Sequence, residues 1–140
     1  MKHFEASTDI AAPSQAVWDA LIDVQGWPHW DSGVTAVDGT IALGAKIVIR
    51  SAAAEGRAFP VKVVELDPPN RLVFAGGMPL GLFHGVRTYS LAANSTGTHV
   101  HMREEYSGPM LGMIWKSMPD LGPSFRQFVE GLRTRVESGA

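Results

Sequence analysis

The distribution of apolar residues predicts a short helix near the start of the chain. Pro13 suits the first turn of a helix, because the backbone N–H that proline lacks has no helical partner there. The apolar residues that follow share one helical face: Ala16, Val17, Ala20, Leu21 and Val24. Gly26 is expected to end this helix, and residues 27–30 then form a turn with two tryptophans around a proline. Such large aromatic residues are unusual in a turn and suggest the mouth of a cavity.

A second helical pattern occupies the chain from about Pro109 onwards. Its apolar stripe consists of Phe125, Phe128, Val129, Leu132 and Val136. A richer apolar stretch precedes this stripe, and Pro119 and Pro123 interrupt it. Because proline inside a helix removes a hydrogen bond, the segment should be a long helix with a bent or broken middle.

Between these helices, apolar and polar residues alternate in a series of short segments, which is typical of strands. The predicted strands are His3–Ile10, Lys46–Arg50, Phe59–Leu66, Arg71–Gly76, Phe83–Leu91 and Thr98–Tyr106, and Gly39 and Gly44 delimit further short ones. Strands that follow one another directly, with helices only near the two ends of the chain, indicate an antiparallel sheet with helices on one face. The fold class is therefore α+β.

The last two strands form a predicted hairpin around residues 94–97. Side chains alternate between the two faces of a strand, so one register brings four pairs together on one face. The pairs are Leu91 with Val100, Tyr89 with Met102, Arg87 with Glu104, and Gly85 with Tyr106. Most of these pairs are chemically sensible, and the register places Arg87 and Glu104 side by side among apolar neighbours.

Length and composition fit one domain over residues 1–140 with a substantial core. The residues are 45% hydrophobic and 19% charged, and the net charge is −2, which gives no reason to expect nucleic acid or an anionic membrane as a partner. No apolar run is long enough to cross a bilayer, and the first residues lack the apolar core of a signal peptide. We therefore expect a cytoplasmic protein, and the sequence leaves open whether it is a monomer or a homodimer.

Several kinds of chemistry have no support in the sequence. There is no cysteine, no Gly-x-Ser-x-Gly motif and no glycine-rich phosphate loop, so covalent hydrolysis and nucleotide cofactors are not expected. His99 and His101 share one strand face, but the predicted register places that face on the outside of the sheet. Two histidines without further ligands do not complete a metal site, so neither a metal nor another cofactor is predicted.

Two long motifs resemble those of the SRPBCC (START-like) superfamily. The first is Ile-x-Ala-Pro-x-x-x-Val-Trp-x-x-Leu-x-Asp-x-x-x-Trp-x-x-Trp over residues 10–30, and the second is Gly-Thr-x-Val-x-x-x-Glu-x-Tyr-x-Gly over residues 97–108. Gly44, the turn at 67–72 and the strand at 87–91 also lie where that pattern places them. The resemblance covers nearly the whole chain and is strongest to the polyketide cyclase/dehydratase branch.

This resemblance implies a helix-grip fold. In that fold a curved antiparallel sheet, here of six or seven strands, wraps around a long, kinked C-terminal helix, and a short helix pair follows the first strand. The resemblance also implies that a hydrophobic small molecule, such as a lipid, a polyketide or an aromatic compound, binds between the sheet and the C-terminal helix. It does not imply one reaction, because one fold supports many functions.

The candidate ligand-binding residues are those expected to face this space or its mouth. They are Trp27, Trp30, Phe74, Arg87, Tyr89, Met102, Glu104, Tyr106, Met110, Met113 and Ile114. Glu104, Arg87 and Tyr89 are also the candidates for catalysis. Each has a structural alternative: the charged pair can be an ordinary ion pair, the tyrosines and methionines can be core, and the tryptophans can cap the sheet.

Three functional classes remain open. The first is a binding protein for an apolar ligand, with a few polar groups that orient it. The second is a cyclase or dehydratase, in which Glu104 with Arg87 or a tyrosine supplies acid and base. The third is a regulator that binds another protein, as the chaperone-activator branch of the superfamily does. The binding protein is preferred, because the sequence shows the residues of a cavity wall more clearly than a set of catalytic residues. The sequence leaves open whether the protein is an enzyme.

Overall fold

Seven antiparallel strands form one curved sheet in the computed structural model, which describes residues 2–52 and 57–139. The strands are β1 (Lys2–Ile10), β2 (Val34–Asp38), β3 (Lys46–Ser51), β4 (Ala58–Asp67), β5 (Arg71–Gly77), β6 (His84–Asn94) and β7 (Gly97–Ser107). Their order in the sheet is β1-β7-β6-β5-β4-β3-β2. Strands β2 to β7 therefore follow one another as neighbours, and β1 pairs with the last strand. The predicted α+β class and the strand number are confirmed.

The helices lie near the two ends of the chain, as predicted. Helix α1 (Ser14–Ile22) is followed by a 3₁₀ helix (Val24–His29), and a further 3₁₀ turn (Pro79–Gly81) connects β5 to β6. The C-terminal helices are α2 (Leu111–Ser117) and α3 (Gly122–Glu137). No helix among residues 2–52 and 57–139 has the length and hydrophobicity needed to span a membrane.

The end of the first helix differs from the prediction. Helix α1 ends at Ile22 rather than at Gly26, because the backbone of Asp23 leaves the helical region. Gly26 lies inside the 3₁₀ helix, where its amide donates a hydrogen bond to the Asp23 carbonyl at 3.0 Å. A Cβ at Gly26 would come within 2.6 Å of the Asp23 carboxylate, so a larger residue there would require the exposed Asp23 side chain to move.

The predicted break in the C-terminal helix is complete. Met118, the residue before Pro119, is extended, with φ −72° and ψ 136°. Proline disfavours the helical conformation of the residue before it, which explains why α2 stops there. Pro123 does not contribute to the break, because it lies in the first turn of α3, where a missing N–H costs nothing.

Helix α3 packs its apolar stripe into the concave face of the sheet, mainly against β1, and also contacts α1. Phe125, Phe128, Val129 and Leu132 are buried, and Val136 packs partly buried against them. The core also contains Trp18 and Leu21 of α1 together with residues from every strand of the sheet. The sheet and the C-terminal helix therefore have the predicted helix-grip arrangement.

The hairpin of β6 and β7 has the predicted register. Leu91 lies opposite Val100, Tyr89 opposite Met102, Arg87 opposite Glu104, and Gly85 opposite Tyr106. The register continues into the neighbouring strands, since Phe74 of β5 lies opposite Arg87 and Phe4 of β1 lies opposite Glu104. Phe4, Glu104, Arg87 and Phe74 therefore form one row across four strands, and residues opposite each other share a face of the sheet.

Candidate functional site

An ion pair lies within this row on the concave face. The Arg87 Nε donates a hydrogen bond to Glu104 Oε1 at 2.6 Å, and the two side chains are 24% and 17% exposed. The Arg87 guanidinium carbon lies 4.9 Å from the centre of the Phe125 ring of α3, a cation–π distance. The pair is thus held between the sheet and the C-terminal helix, mostly but not completely shielded from solvent.

Arg87 stays protonated, and therefore positively charged, in this environment. Burial by itself lowers the pKa of the guanidinium, but the Glu104 carboxylate and the neighbouring phenols raise it, and the resulting pKa lies above the ordinary value. A nearby opposite charge favours the ionised form of a group. Arg87 therefore offers a permanent positive charge, and Glu104 retains a second carboxylate oxygen beyond the one that Arg87 contacts.

Two buried tyrosines flank the ion pair. Tyr89 follows Arg87 on the same face of β6, and Tyr106 follows Glu104 on the same face of β7. By strict geometry both hydroxyls lack a hydrogen-bond partner among the described residues, but Tyr89 lies within hydrogen-bonding range of Arg87 and Tyr106 within that of Glu104. Buried polar groups without a partner are rare, and each calls for an explanation.

Both phenols remain protonated near neutral pH. Burial raises the pKa of Tyr89, and the nearby Arg87 charge opposes this rise without cancelling it. Burial also raises the pKa of Tyr106, and the negative charge of Glu104 adds to the effect. The two hydroxyls are therefore hydrogen-bond donors, each close to one member of the ion pair.

A first aromatic cluster lies on the Tyr89 side of the pair. The Trp27 ring lies 6.5 Å from Phe74, 6.3 Å from Tyr89 and 4.9 Å from Phe128, measured between ring centres. Trp30 joins the cluster through Phe128, at 5.3 Å. These rings fill the space between the sheet, α3 and the 3₁₀ helix.

A second aromatic cluster lies on the Tyr106 side. Trp115 of α2 stacks on Phe4 at 5.0 Å and lies 5.9 Å from Tyr106, which Phe83 also contacts by stacking at 5.9 Å. None of the seven residues of α2, all of which the structure describes, is buried. Helix α2 therefore covers the Tyr106 end of the concave face mainly through one side chain, Trp115.

Most of the predicted site residues converge. Phe74, Arg87, Tyr89, Met102, Glu104 and Tyr106 share the concave face, as the predicted register requires. Trp27 also lies there, but it is fully buried and its indole N–H donates to the Leu21 carbonyl at 3.0 Å, so it is a core residue and not part of a mouth.

The α2 residues agree less well with the prediction. Met113 is 62% exposed and forms no part of an internal wall, and Met110 and Ile114 are half-buried. A seven-residue helix makes two turns, and the sequence alone did not indicate which side would face inwards. The side chain that does so is Trp115.

The predicted internal cavity is not confirmed. Two grooves of the described part of the chain are open to the surface. One, of about 340 Å³, is bordered by Trp30, Asp31, the C-terminal half of α3 and Ser138. The other, of about 560 Å³, lies where the loop after β1 meets the β6–β7 turn. Of the predicted lining residues, only Trp30 borders either groove.

Four aromatic residues pack around the ion pair and Tyr106 but were not among the predicted site residues: Phe4, Phe83, Trp115 and Phe125. Phe125 was recognised on the helical stripe, yet its position over Arg87 depends on the depth at which α3 enters the sheet. Phe4 alternates correctly for an inward position, but its place beside Glu104 depends on the pairing of β1 with β7, which are distant in sequence.

The histidines of the outer face pair with carboxylates. His99 Nδ1 lies 3.0 Å from Asp9 Oδ1, and His101 Nε2 lies 2.7 Å from Glu5 Oε1. Within residues 2–52 and 57–139, no group of three or more His, Cys, Asp or Glu side chains is arranged to hold a metal ion. These pairs are exposed and lie on the opposite face from the ion pair.

Comparison with known proteins identifies the family. The sequence profile described as "Polyketide cyclase / dehydrase and lipid transport" matches residues 1–137. The chain therefore belongs to the polyketide cyclase/dehydrase and lipid transport family, in agreement with the SRPBCC motifs. No curated protein sequence matches this chain.

Solved structures share the fold. A protein of Mesorhizobium loti, MLL2253, is 18% identical with a TM-score of 0.77 over 99% of both chains. A protein of Helicobacter pylori, jhp0584, is 13% identical with a TM-score of 0.78 over 96% of this chain and 88% of its own. DynU16, from the dynemicin biosynthetic locus, is 18% identical with a TM-score of 0.72 and matches 99% of this chain over 48% of its own length. At these identities the similarity establishes the fold alone.

Proposed function

We propose that this protein binds an apolar small molecule that carries a neutral oxygen group, which accepts a hydrogen bond from Tyr89 or Tyr106 beside the ion pair of Arg87 and Glu104. The observation that carries the proposal is the pair of buried hydroxyls of Tyr89 and Tyr106, neither of which makes a hydrogen bond of good geometry, beside a shielded ion pair. A site that orients an apolar ligand needs a few polar groups on an otherwise hydrophobic wall. The two aromatic clusters supply that wall.

The charges favour a neutral ligand group over an ionised one. Arg87 and Glu104 neutralise each other at 2.6 Å, so an additional carboxylate or ammonium would be buried against one unfavourable charge. A ketone or hydroxyl oxygen can instead accept a hydrogen bond from a protonated phenol without changing the net charge. This oxygen would remove the cost of an unpaired buried donor.

Access to the site would require movement of α2. This helix contains no buried residue and covers Tyr106 through the stacking of Trp115 on Phe4. Displacement of α2 would expose the Tyr106 end of the pair, and the apolar part of a ligand would then replace the Trp115 contacts.

A matched pair of fluorescent probes tests the proposal. A naphthyl ketone and the corresponding alkylnaphthalene without the carbonyl are titrated with the protein, and fluorescence gives both dissociation constants. We expect the ketone to bind roughly tenfold more tightly, the gain of about one well-made hydrogen bond. Equal affinities, or binding only under conditions that unfold the protein, would contradict the proposal. Native mass spectrometry of freshly purified protein would identify any bound molecule.

A second candidate function is proton transfer next to a carbonyl, as a cyclase or dehydratase requires. It is favoured by the contact between a carboxylate, Glu104, and a protonated phenol, Tyr106, whose pKa is raised. The carboxylate would remove a proton from the carbon beside the carbonyl, and the phenol would hydrogen-bond the oxygen of the resulting enolate.

Deuterium exchange distinguishes this function from simple binding. The naphthyl ketone is incubated with the protein in D₂O, and mass spectrometry measures deuterium at the carbon beside the carbonyl. Exchange that exceeds the protein-free rate and disappears in Glu104→Gln supports catalysis. Binding of the ketone without exchange would leave the carrier function and reject the enzymatic one.

A further inference from the structure

Three of the exposed large apolar side chains occur in two segments that meet at one end of the sheet. Leu80 is 95% exposed, Met113 is 62% exposed and Met78 is 40% exposed. We refer to these three residues as the apolar tip. Single exposed apolar residues are common, but a group of them at one location indicates an interaction surface.

The two segments are joined by a backbone hydrogen bond. The amide of Met110, which precedes α2, donates to the Leu82 carbonyl in the β5–β6 loop at 2.9 Å. The loop itself is closed by the Met78 amide, which donates to the Phe83 carbonyl at 2.8 Å. The loop and the start of α2 therefore form one continuous surface where β5 and β7 end.

The backbone of the loop holds Leu80 outward. Its φ is 62°, in the left-handed region that residues with a side chain rarely adopt. A strained conformation that displays a fully exposed leucine gives the folded protein no burial in return. An external apolar partner would provide that burial.

The two segments that form the apolar tip carry one lysine and no carboxylate. Residues 78–84 and 107–119 contain no Asp or Glu, and the next residue, Asp120, accepts a hydrogen bond from the Gly122 amide. Lys116 is exposed on α2, and the Lys2 ammonium lies 5.7 Å from the centre of the Trp115 ring. Nearby carboxylates on β7 already have partners, since Glu104 pairs with Arg87 and Glu105 with Arg103.

We propose that the apolar tip docks onto the surface of an anionic lipid bilayer. Leucine and methionine side chains that protrude beside lysines are the combination that binds the interface of an anionic membrane. The net charge of the whole chain gave no reason to expect such a partner, because it does not show how the lysines and carboxylates are distributed over the surface. The docking proposal is argued only from the exposed residues of the apolar tip, whereas transfer of a ligand between membrane and protein would also rest on the proposed function. Docking would place α2, the helix that covers the proposed ligand site, at the membrane.

Vesicle sedimentation of the full chain tests the docking. The protein is mixed with vesicles of phosphatidylcholine and phosphatidylglycerol in equal amounts, or with vesicles of phosphatidylcholine alone, and the bound fraction is measured. We expect binding to the anionic vesicles. The double variant L80S/M113S should bind roughly tenfold more weakly or worse, because it removes two apolar side chains from the contact. Leu43→Ser is the matched control, since Leu43 is 68% exposed but lies in the β2–β3 loop; it should bind as the unmodified protein does.

A second pair of variants tests the charges. Lys116→Gln should weaken binding to the anionic vesicles roughly fivefold, the value for one basic residue near such a surface. The control is Arg135→Gln in the last turn of α3, at the end of the molecule where the Glu137 side chain meets Ala11. Added salt should weaken binding of the unmodified protein.

The proposal is overturned if the unmodified protein does not sediment with anionic vesicles, or if L80S/M113S binds as well as Leu43→Ser. It is also overturned if light scattering shows a dimer that L80S/M113S dissociates, since the apolar tip would then be a contact between copies of this chain. Circular dichroism confirms that each variant is folded. The naphthyl ketone titration in vesicle-free buffer is independent, so failure of docking and failure of the ligand site can be distinguished.

Discussion

Gly85 lies against Glu104 on the concave face, and the absence of a side chain there leaves one carboxylate oxygen uncovered. A Cβ at Gly85 would be 3.4 Å from Glu104 Oε2 and 3.6 Å from the Tyr106 ring. These are ordinary contact distances, so alanine fits, whereas a larger side chain would cover the carboxylate. We therefore expect the size of the residue at position 85 to limit how closely the proposed ligand approaches Glu104.

Substitutions at Gly85 should separate folding from binding. Gly85→Ala should fold and bind the naphthyl ketone nearly as the unmodified protein does. Gly85→Val should also fold, because strands favour β-branched residues, but should lose most of the binding. Thermal unfolding and fluorescence titration measure the two properties. Unchanged binding by Gly85→Val would show that the ligand does not approach Glu104 from this side.

Removal of the tyrosine hydroxyls should affect stability and binding in opposite directions. Tyr89→Phe and Tyr106→Phe each remove a buried hydroxyl that makes no hydrogen bond of good geometry among the described residues. Without ligand the free energy of unfolding should stay the same or rise by up to about 1 kcal/mol. Affinity for the ketone should fall in at least one variant, while affinity for the alkylnaphthalene should not. A loss of stability in both would indicate that the hydroxyls have structural partners.

The ion pair should be separable from its ligand role by a double substitution. Glu104→Ala leaves Arg87 mostly buried without its partner and should cost about 3 kcal/mol, at the low end for buried pairs because solvent still reaches both groups. Arg87→Met combined with Glu104→Leu should recover most of this loss and still fail to bind the ketone preferentially. Chemical denaturation gives the stabilities.

A surface ion pair provides the control for that experiment. Arg71 Nε lies 2.9 Å from Glu65 Oε2, with both side chains 47% exposed. Glu65→Ala should therefore cost less than about 1 kcal/mol and leave ketone binding unchanged. If the Arg87/Glu104 double variant retained preferential ketone binding, the pair would have a structural role only.

Trp115 should control the rate of ligand entry. Trp115→Ala removes the stacking on Phe4, so α2 should open more readily and the ketone should associate faster in stopped-flow fluorescence. Met113→Ala, on the same helix but 62% exposed, is the matched control and should leave the rate unchanged. Equal association rates for both variants would mean that the ligand enters elsewhere.

The contact between the two ends of the chain should depend on acid. The Ala11 amide donates to Glu137 Oε2 at 2.9 Å, and this hydrogen bond lowers the pKa of Glu137 below 4.5. A carboxylate with a lowered pKa in the folded state stabilises it above the unfolded pKa, and this contribution is lost as the pH falls through the folded value. Glu137→Gln should therefore flatten the decline of the melting temperature below about pH 4.5, whereas Glu130→Gln should not. Parallel declines in all three proteins would exclude this contact as the cause.

The features that the sequence predicted well are those decided by neighbours along the chain. The β6–β7 register follows from the alternation of side chains between the two faces of each strand and from the short turn that joins the strands. In that register the residue opposite Arg87 is the oppositely charged Glu104. The break before α3 follows from the effect of Pro119 on Met118. Both depend on local geometry that side-chain type determines.

The features it missed depend on packing between distant segments. Whether rings such as Trp27 and Phe128 leave a cavity or fill it depends on distances of a few ångströms, and alternation patterns do not contain this information. Likewise, nothing along the chain indicated that Trp115, rather than Met113, would turn inwards onto Phe4. The residues of the second aromatic cluster could be assigned only after β1 was placed beside β7.

The pairing of β1 with β7 also determines when the site can form during folding. Lys2 lies opposite Tyr106, so the first strand made must wait until almost the whole sheet has been synthesised before it finds its neighbour. Closing so long a loop is entropically costly and slows folding relative to the local β6–β7 hairpin. Arg87 and Glu104 can therefore meet early, in a hairpin open to water, and they become shielded only when Phe4 arrives with β1. On the growing chain, the proposed ligand site is consequently among the last parts of the protein to be completed.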